Sequence, residues 1–353
     1  MSFKTEHRGM DRRKFIKLLW GVSVGGRALA DGIGSKVRIS TGNTGFSSLQ
    51  EQPSMTYRVL GRTRFKSSRL VFGGGAALVG GRAVRLLDRA LEAGINHFDL
   101  GSNVYYRGSE RSFAPFLKRN RDRVWVASKA PVPLILRPED TVSAEWAQKA
   151  ASGWTRLMEA SLKELETDSI DAYYLMAVNN PNLVRCEELY KAFLEAKKCG
   201  KVKYFGLSTH KNARKVLEAA IETGWYDVAM IGITPVGWYD WETHDLVPGS
   251  QTLAELQGLL DRARGAGIGL IGMKTVRHLA SKTALGKGDL TAFDSVYGKK
   301  FLNSPLNPFQ RAYAYVLEFG LDVVNADMQN FTHLEENIVA AATSYKYFGG
   351  ISP

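Results

Sequence analysis

Gly94-Ile95-Asn96-His97-Phe98-Asp99, followed by Tyr105, Tyr106 and Gly108-Ser109-Glu110, is the stretch that decides the fold. It reads as a short buried strand that ends on a carboxylate and runs into a polar, glycine-bearing loop. One unit later, Val124-Trp125-Val126-Ala127-Ser128-Lys129 reads as another apolar strand, this time ending on a lysine. As parallel neighbours, the two strands would bring Asp99, Lys129 and a tyrosine of the first loop to one rim. There the ammonium is expected to lower the pKa of the phenol, and the carboxylate to hold the ammonium in place. Such a constellation suits proton donation to a carbonyl oxygen.

Working outward, the same alternation repeats from residue 55 onward. Met55–Leu60 and Ser68–Phe72 could pair as a hairpin or lead directly into the first strand of a sheet. Helices are expected over Gly80–Ala93, Ser109–Lys118, Ala144–Leu165, Leu183–Lys198, Asn212–Thr223, Leu253–Ala263, Pro308–Phe319 and His333–Thr343. Between them lie the apolar strands Ala172–Met176, Val202–Leu207, Val228–Ile233, Ile268–Met273 and Leu321–Asn325. Counted from Leu70, eight strands alternate with helices, which calls for a parallel sheet and favours a closed α/β (β/α)8 TIM barrel. No Gly-x-Gly-x-x-Gly follows a strand, so a doubly wound dinucleotide fold loses its main support. In a barrel of this kind the functional groups sit at the C-terminal ends of the strands: Asp99, Lys129, Met176, Ser208-Thr209-His210, Thr234 and Lys274.

Ahead of the barrel, Asp11-Arg12-Arg13-Lys14-Phe15-Ile16-Lys17 precedes a modestly apolar run and then Ala28-Leu29-Ala30. A basic segment, an apolar segment and a small-residue cleavage site, in that order, form a secretory signal. The paired arginines resemble a twin-arginine export signal, which implies a bacterial, periplasmic destination and a folded cargo. The apolar run falls short of the ~20 residues that a membrane span requires, so stable membrane insertion is not expected. Residues 31–54, rich in Gly, Ser, Thr and Gln, read as a flexible linker. The expected organisation is thus a signal peptide over 1–30, the linker, one barrel domain over 55–345 and a tail over 346–353.

Of the net charge of +12, residues 1–30 carry +5, and the rest is spread along the remaining chain without a block of like charge. A solvated basic surface is preferred to nucleic-acid binding. Cys186 and Cys199 form neither a disulfide framework nor a zinc pattern, and no metal site is expected.

With Gly-Ile-Asn-His-Phe-Asp, Gly-Ser-Glu, Ser128-Lys129 and Asp171-Ala172-Tyr173-Tyr174-Leu175 in hand, the chain resembles the aldo-keto reductase family. Lys201-Val202-Lys203-Tyr204-Phe205-Gly206-Leu207-Ser208 is similar to that family's fifth strand, and Gly267–Thr275 to the seventh strand of its bacterial branch. Met328-Gln329-Asn330, with His333–Asn337, resembles the segment that grips the adenosine phosphate. The resemblance implies NADPH-dependent reduction of a small-molecule carbonyl by an Asp, Tyr, Lys and His tetrad. It assigns Asp99 and Lys129 directly. Tyr105 is favoured as proton donor, with Tyr106 as the alternative, because the position five residues after the aspartate is Val104. Met176 stands at the histidine position and cannot donate a hydrogen bond.

Ser208, Thr209, Met230, Lys274, Gln329 and Asn337 are the implied cofactor contacts. Thr209 stands where the family often has Asn, and Met230 where it usually has Gln. Asp327-Met328-Gln329 stands where the family usually has Gly-x-Arg near the 2′-phosphate, and losing the arginine while gaining Asp327 leaves the choice between NADP and NAD open. The expectation is a slow or atypical carbonyl reductase, with a catalytically silent cofactor-binding or sensing protein as the alternative. A hydrolase or lyase using Asp99 and Glu110 lacks metal ligands and a well-placed second acid. His97 is expected to be a core histidine; His210 could stand in for the missing tetrad histidine, with a solvated or hydrogen-bonded rim histidine preferred. Trp225, Trp238, Tyr239 and Trp241 are expected either to form a substrate wall or to pack beneath a loop. A monomer is favoured.

Overall fold

The structure, a computed structural model, describes residues 53–280 and 288–349. The signal peptide and all but the last two residues of the linker lie outside that range. Among the described residues twelve strands run in chain order: β1 Tyr57–Val59, β2 Lys66–Ser68, β3 Leu70–Gly73, β4 His97–Asp99, β5 Trp125–Ala130 and β6 Ile170–Leu175. They continue with β7 Val202–Thr209, β8 Val228–Thr234, β9 Gly237–Asp240, β10 Asp245–Leu246, β11 Gly269–Met273 and β12 Val323–Ala326. Strands β3, β4, β5, β6, β7, β8, β11 and β12 are parallel neighbours in that order, and the β12–β3 pairing closes the cylinder. Each is followed by a helix: α1 Leu87–Glu92, α2 Ser109–Asn120, α3 Ala144–Leu165, α4 Glu187–Lys198, α5 Ala213–Thr223, α6 Gln257–Gly265, α7 Pro308–Glu318 and α8 Phe331–Thr343. The fold is a (β/α)8 barrel.

Alternation along the strands divides two cores. Val71, Trp125, Ala127, Ala172, Tyr174, Val228, Met230, Ile271, Met273 and Val323 fill the cylinder. Their sequence neighbours Leu70, Phe72, Phe98, Val126, Tyr173 and Leu175 face the helices. At three strand starts one device recurs. Asp171, Asp227 and Asp322 each accept the backbone N–H of the neighbouring strand, from Val126, Phe205 and Leu270, at 2.8–2.9 Å. These carboxylates fix the register of adjacent strands where a slip would turn the interior row outward.

The N-terminal hairpin resolves the sequence alternative in favour of both options. β1 pairs antiparallel with β2, and β3 then enters the barrel. The hairpin closes the lower end of the cylinder. Phe65 stacks on Trp125 at 4.5 Å, Trp125 on Tyr204 at 5.0 Å, and the Tyr204 hydroxyl donates to the Thr63 carbonyl. Leu60 fits against Gly269 only because that residue has no side chain.

Three helix expectations need correction. The helix expected over Gly80–Ala93 begins only at Leu87, because Gly80 and Gly81 adopt left-handed conformations at φ 64° and 76°. The helix expected over Leu183–Lys198 is two helices, Pro181–Val184 capped by the Asn180 side chain and α4. The one expected over Leu253–Ala263 starts later, since Glu255 folds back onto the N–H and hydroxyl of Thr252 and spends those residues in a turn. The chain also keeps packing beyond residue 345: Phe348 meets Phe301 at 4.6 Å and Phe319 at 5.3 Å. No helix of the described residues is long and apolar enough to cross a membrane.

His97 lies inside the lower barrel, fully buried, with its Nδ1 2.9 Å from the Ser67 hydroxyl. Burial lowers its pKa from 6.5 to about 3. The folded chain thus holds it neutral, while the unfolded chain takes up a proton below about pH 6.5. Its contribution to stability is complete above the unfolded pKa and drains away as pH falls towards 3. Between about pH 8 and about pH 5 this one group should cost about 2 kcal/mol of folding stability. His97→Gln should flatten that part of the stability–pH curve in urea denaturation, and an unaltered slope would show that the ring is not the source.

Candidate active site

The upper, C-terminal end of the barrel gathers the charged strand ends. Asp99 closes β4 and Lys129 lies near the end of β5, and the parallel register pairs Asp99 with Ala127. The side chains meet directly, with Lys129 Nζ 2.5 Å from Asp99 Oδ2. Both are almost wholly buried. The ammonium also donates to the Leu100 carbonyl at 2.5 Å. Burial pushes the Asp99 carboxyl up, while Lys129, a hydrogen bond from Asn325 and the charge of Lys274 pull it back down.

The two tyrosines part company. Tyr106 turns its ring to Lys129, with the ammonium 5.7 Å from the ring centroid. Its ring is seated between Gly75 and Gly101. A Cβ on Gly101 would overlap the ring, and one on Gly75 would come within 3.0 Å of it. Tyr105 stands edge-on to Tyr106 at 4.8 Å and takes a hydrogen bond from Trp241 instead. The lysine therefore faces Tyr106 rather than the favoured Tyr105.

The expected acidification is reversed as well. The Tyr106 phenol is pushed well above its ordinary value, first by burial and then by the neighbouring Tyr105, Asp99 and Asp327. Lys129 does not reverse this, because its charge is already committed to a carboxylate and a carbonyl.

Met176 follows β6, with its backbone N–H on the Ala130 carbonyl, so a thioether stands half-buried at that strand end. Ser208 pins the adjoining turn by accepting from Ala177 N at 3.0 Å, and Ala177 is left-handed at φ 55°. Thr209 donates to the Lys211 carbonyl. Met230 lies in the barrel interior, with its sulfur 3.4 Å from the Asn325 amide. Gln329 bonds to Asp327, and Asn337 is buried on α8.

Lys274 sits just past β11 in a left-handed conformation, φ 63°, which a side-chain-bearing residue adopts at a cost. Its ammonium lies 3.8 Å from the centre of the Trp241 ring. Burial, together with Arg277 and Lys129, lowers its pKa to about 8 against the opposing pull of Asp327 and Asp99.

The aromatic cluster divides too. Trp225 stacks on Tyr190 at 4.6 Å among the outer helices, and Trp238 and Tyr239 are buried in packing. Trp241 alone reaches the mouth. It rides on the hairpin of β9 and β10, which β8 extends antiparallel through Ile233 and Trp238. His210 leans on the bare backbone of Gly232 beneath that hairpin, and burial lowers its pKa to about 3.

Sequence reasoning missed Asn325. A lone amide in Val323-Val324-Asn325-Ala326 interrupts an otherwise apolar strand, and that interruption was the available signal.

A model of the Aldo/keto reductase family matches residues 70–285, and the chain belongs to that family. Over 165 residues it is 30% identical to YrpG, an uncharacterized oxidoreductase of Bacillus subtilis, with 44% of this chain and 49% of YrpG aligned. A second B. subtilis protein, the uncharacterized oxidoreductase YqkF, is 29% identical over 130 residues, or 36% of this chain and 40% of that one. The chain thus spans half or less of the length of these curated relatives. Among solved structures, a putative aldo-keto reductase from Pseudomonas aeruginosa superposes with a TM-score of 0.59 at 20% identity, over 84% of this chain and 99% of that one. The holo form of an aldo-keto reductase from Bacillus halodurans gives 0.59 at 21%, over 81% and 90%. Both likenesses concern the fold.

Gly101→Ala should force the Tyr106 ring out of its seat at a cost of about 1–3 kcal/mol, as overpacking does. Gly75→Ala, with more room, should cost less. Thermal denaturation of the two variants checks the order, and equal, negligible losses would mean that Tyr106 is not held there.

Proposed function

We propose that the protein is a nicotinamide-dependent carbonyl reductase in which Tyr106 gives up the proton. The observation that carries this is Lys129, set between the Asp99 carboxylate and the Tyr106 ring at the open end of the barrel. Family membership and the oxidoreductase names of the curated relatives support the class of reaction.

The mouth's residues fit a dinucleotide. Lys274 and the N-terminus of α8 tolerate anionic oxygens. Met176, Met230 and Trp241 supply apolar surface, Ser208 supplies a hydroxyl, and Asp99 Oδ1 is a buried polar atom without a protein partner. When bound, the cofactor supplies a hydride to the carbonyl carbon. The chain's own task is the oxygen. Tyr106, protonated throughout the physiological range because burial raises its pKa, carries the proton to be donated and is a weaker acid than a solvated phenol. Once the proton has gone, solvent returns one to the phenolate, while Asp99 keeps the Lys129 ammonium in place beside the ring.

Met176 offers no second donor, and losing one oxyanion donor elsewhere costs roughly 3–4 kcal/mol. Slow turnover is expected, with reduction faster than the reverse. Asp327, exposed beside α8, would repel a 2′-phosphate, so NADPH should bind no better than NADH. Met176 also supports a second reading, a silent protein that holds the cofactor without turnover. Export by the twin-arginine route is proposed on the Arg12-Arg13 segment alone, and cell fractionation of an Arg12→Lys, Arg13→Lys form tests it.

Oxidation of NADH and NADPH against a panel of aldehydes and ketones tests the main proposal. Tyr106→Phe should lose a factor of about 10²–10⁴, the worth of a positioned acid, and Lys129→Met a comparable amount. Tyr105→Phe should stay within about tenfold of the parent, since its hydroxyl faces Trp241. If Tyr105→Phe is the dead variant, the assignment of the donor is wrong. Bound nucleotide without turnover on any carbonyl would support the silent reading.

A further inference from the structure

Asn325 lies on β12, two strands away from Asp99 on β4, with β3 between them. Its amide nevertheless reaches Asp99, with Nδ2 2.6 Å from Oδ2, the oxygen that also takes the Lys129 ammonium. The crossing is possible because the β3 residue opposite Asp99 is Gly73. A Cβ on Gly73 would overlap the Asn325 side-chain oxygen. Below this level the barrel interior contributed by β3, β11 and β12 is Val71, Ile271 and Val323, so nothing in packing calls for an amide here.

We propose that Asn325 is a positioning residue that holds the Asp99 carboxylate on Lys129, reaching it through the gap left by Gly73. A buried ion pair is stable only when its remaining lone pairs and protons are satisfied. Lys129 satisfies one lone pair of Oδ2, Asn325 a second, and Asp99 Oδ1 has no protein partner. The charged and titratable groups facing Asp99 are Lys129 from β5, Lys274 from the end of β11, Tyr106 from the following loop and Tyr174 from β6. Of its near neighbours only Asn325 contributes a hydrogen bond without a charge of its own. Its removal therefore changes the ionisation of Asp99 without altering the charge count. The Asn325 amide donates to Asp99 and Met230. Its effect passes through Asp99 to the orientation of Lys129.

Only the kinetic arm of the test rests on the reductase proposal. Asn325→Leu, close in volume, removes the donor, and Gly73→Ala keeps the amide group but puts a methyl where its oxygen lies. In both, the acid limb of the rate–pH profile should move up by roughly one pH unit, the worth of a hydrogen bond to a charged group. On the acid side of that limb the rate should fall roughly tenfold and recover at higher pH, with nucleotide affinity unchanged within about twofold. Carboxyl-carbon NMR titration of Asp99 reads the same shift with no turnover at all. A reductase that proved inactive would thus leave the test standing. The proposal is overturned if the Asp99 titration is the same in parent and variants, or if the rate loss is equal at every pH.

Discussion

The Lys129–Asp99 contact is the constraint on which the upper half of this molecule depends. Both groups are almost entirely withdrawn from water, and an ion pair so placed repays its desolvation only when its geometry is good and its other bonds are made. The barrel supplies those bonds from three directions and leaves Asp99 Oδ1 without a protein partner. β5 brings the ammonium, the residue after β4 offers the Leu100 carbonyl, and β12 sends Asn325 across Gly73. Breaking a buried pair of this kind costs of the order of 3–5 kcal/mol. Stability and chemistry therefore draw on the same bond.

The two ends of the barrel are built in opposite ways. At the lower end Leu60, Phe65, Trp125 and Tyr204 stack into an apolar plug, and even His97 is kept neutral there. At the upper end glycines at 73, 75 and 101 remove side chains so that Asn325 and Tyr106 can occupy the space. A rigid lower end fixes strand register, and register decides which residues share the mouth. Above it the β9–β10 hairpin lays Trp241 between Lys274 and Tyr105, tying together loops from opposite sides of the cylinder.

The phenol's chemistry follows from competition for the ammonium. A free lysine beside a tyrosine would acidify it, but a lysine already bound to a carboxylate has little field left to offer, and burial then dominates. Tyr106 is left as a firmly protonated acid. On the proposed reading, a thioether at position 176 leaves Tyr106 as the one donor to an oxygen that two would normally share.

Much of this was legible in the chain itself. Eight apolar runs alternating with amphipathic helices impose a parallel, closed sheet, because each strand must cover both faces and each crossover needs a helix. Asp99 and Lys129 were legible too, since a charge at the end of a buried strand has few reasons to be there. Where Gly80-Gly81 and Thr252–Glu255 broke expected helices, local backbone and side-chain bonding outweighed the apolar period. What only the tertiary structure decided was which tyrosine meets the lysine and that the Asn325 amide reaches Asp99. Adjacent residues on a short helical turn point apart, and sequence does not say which way the turn faces. Asn325 and Asp99 are 226 residues apart, and only closure of the barrel past Gly73 brings them within a hydrogen bond.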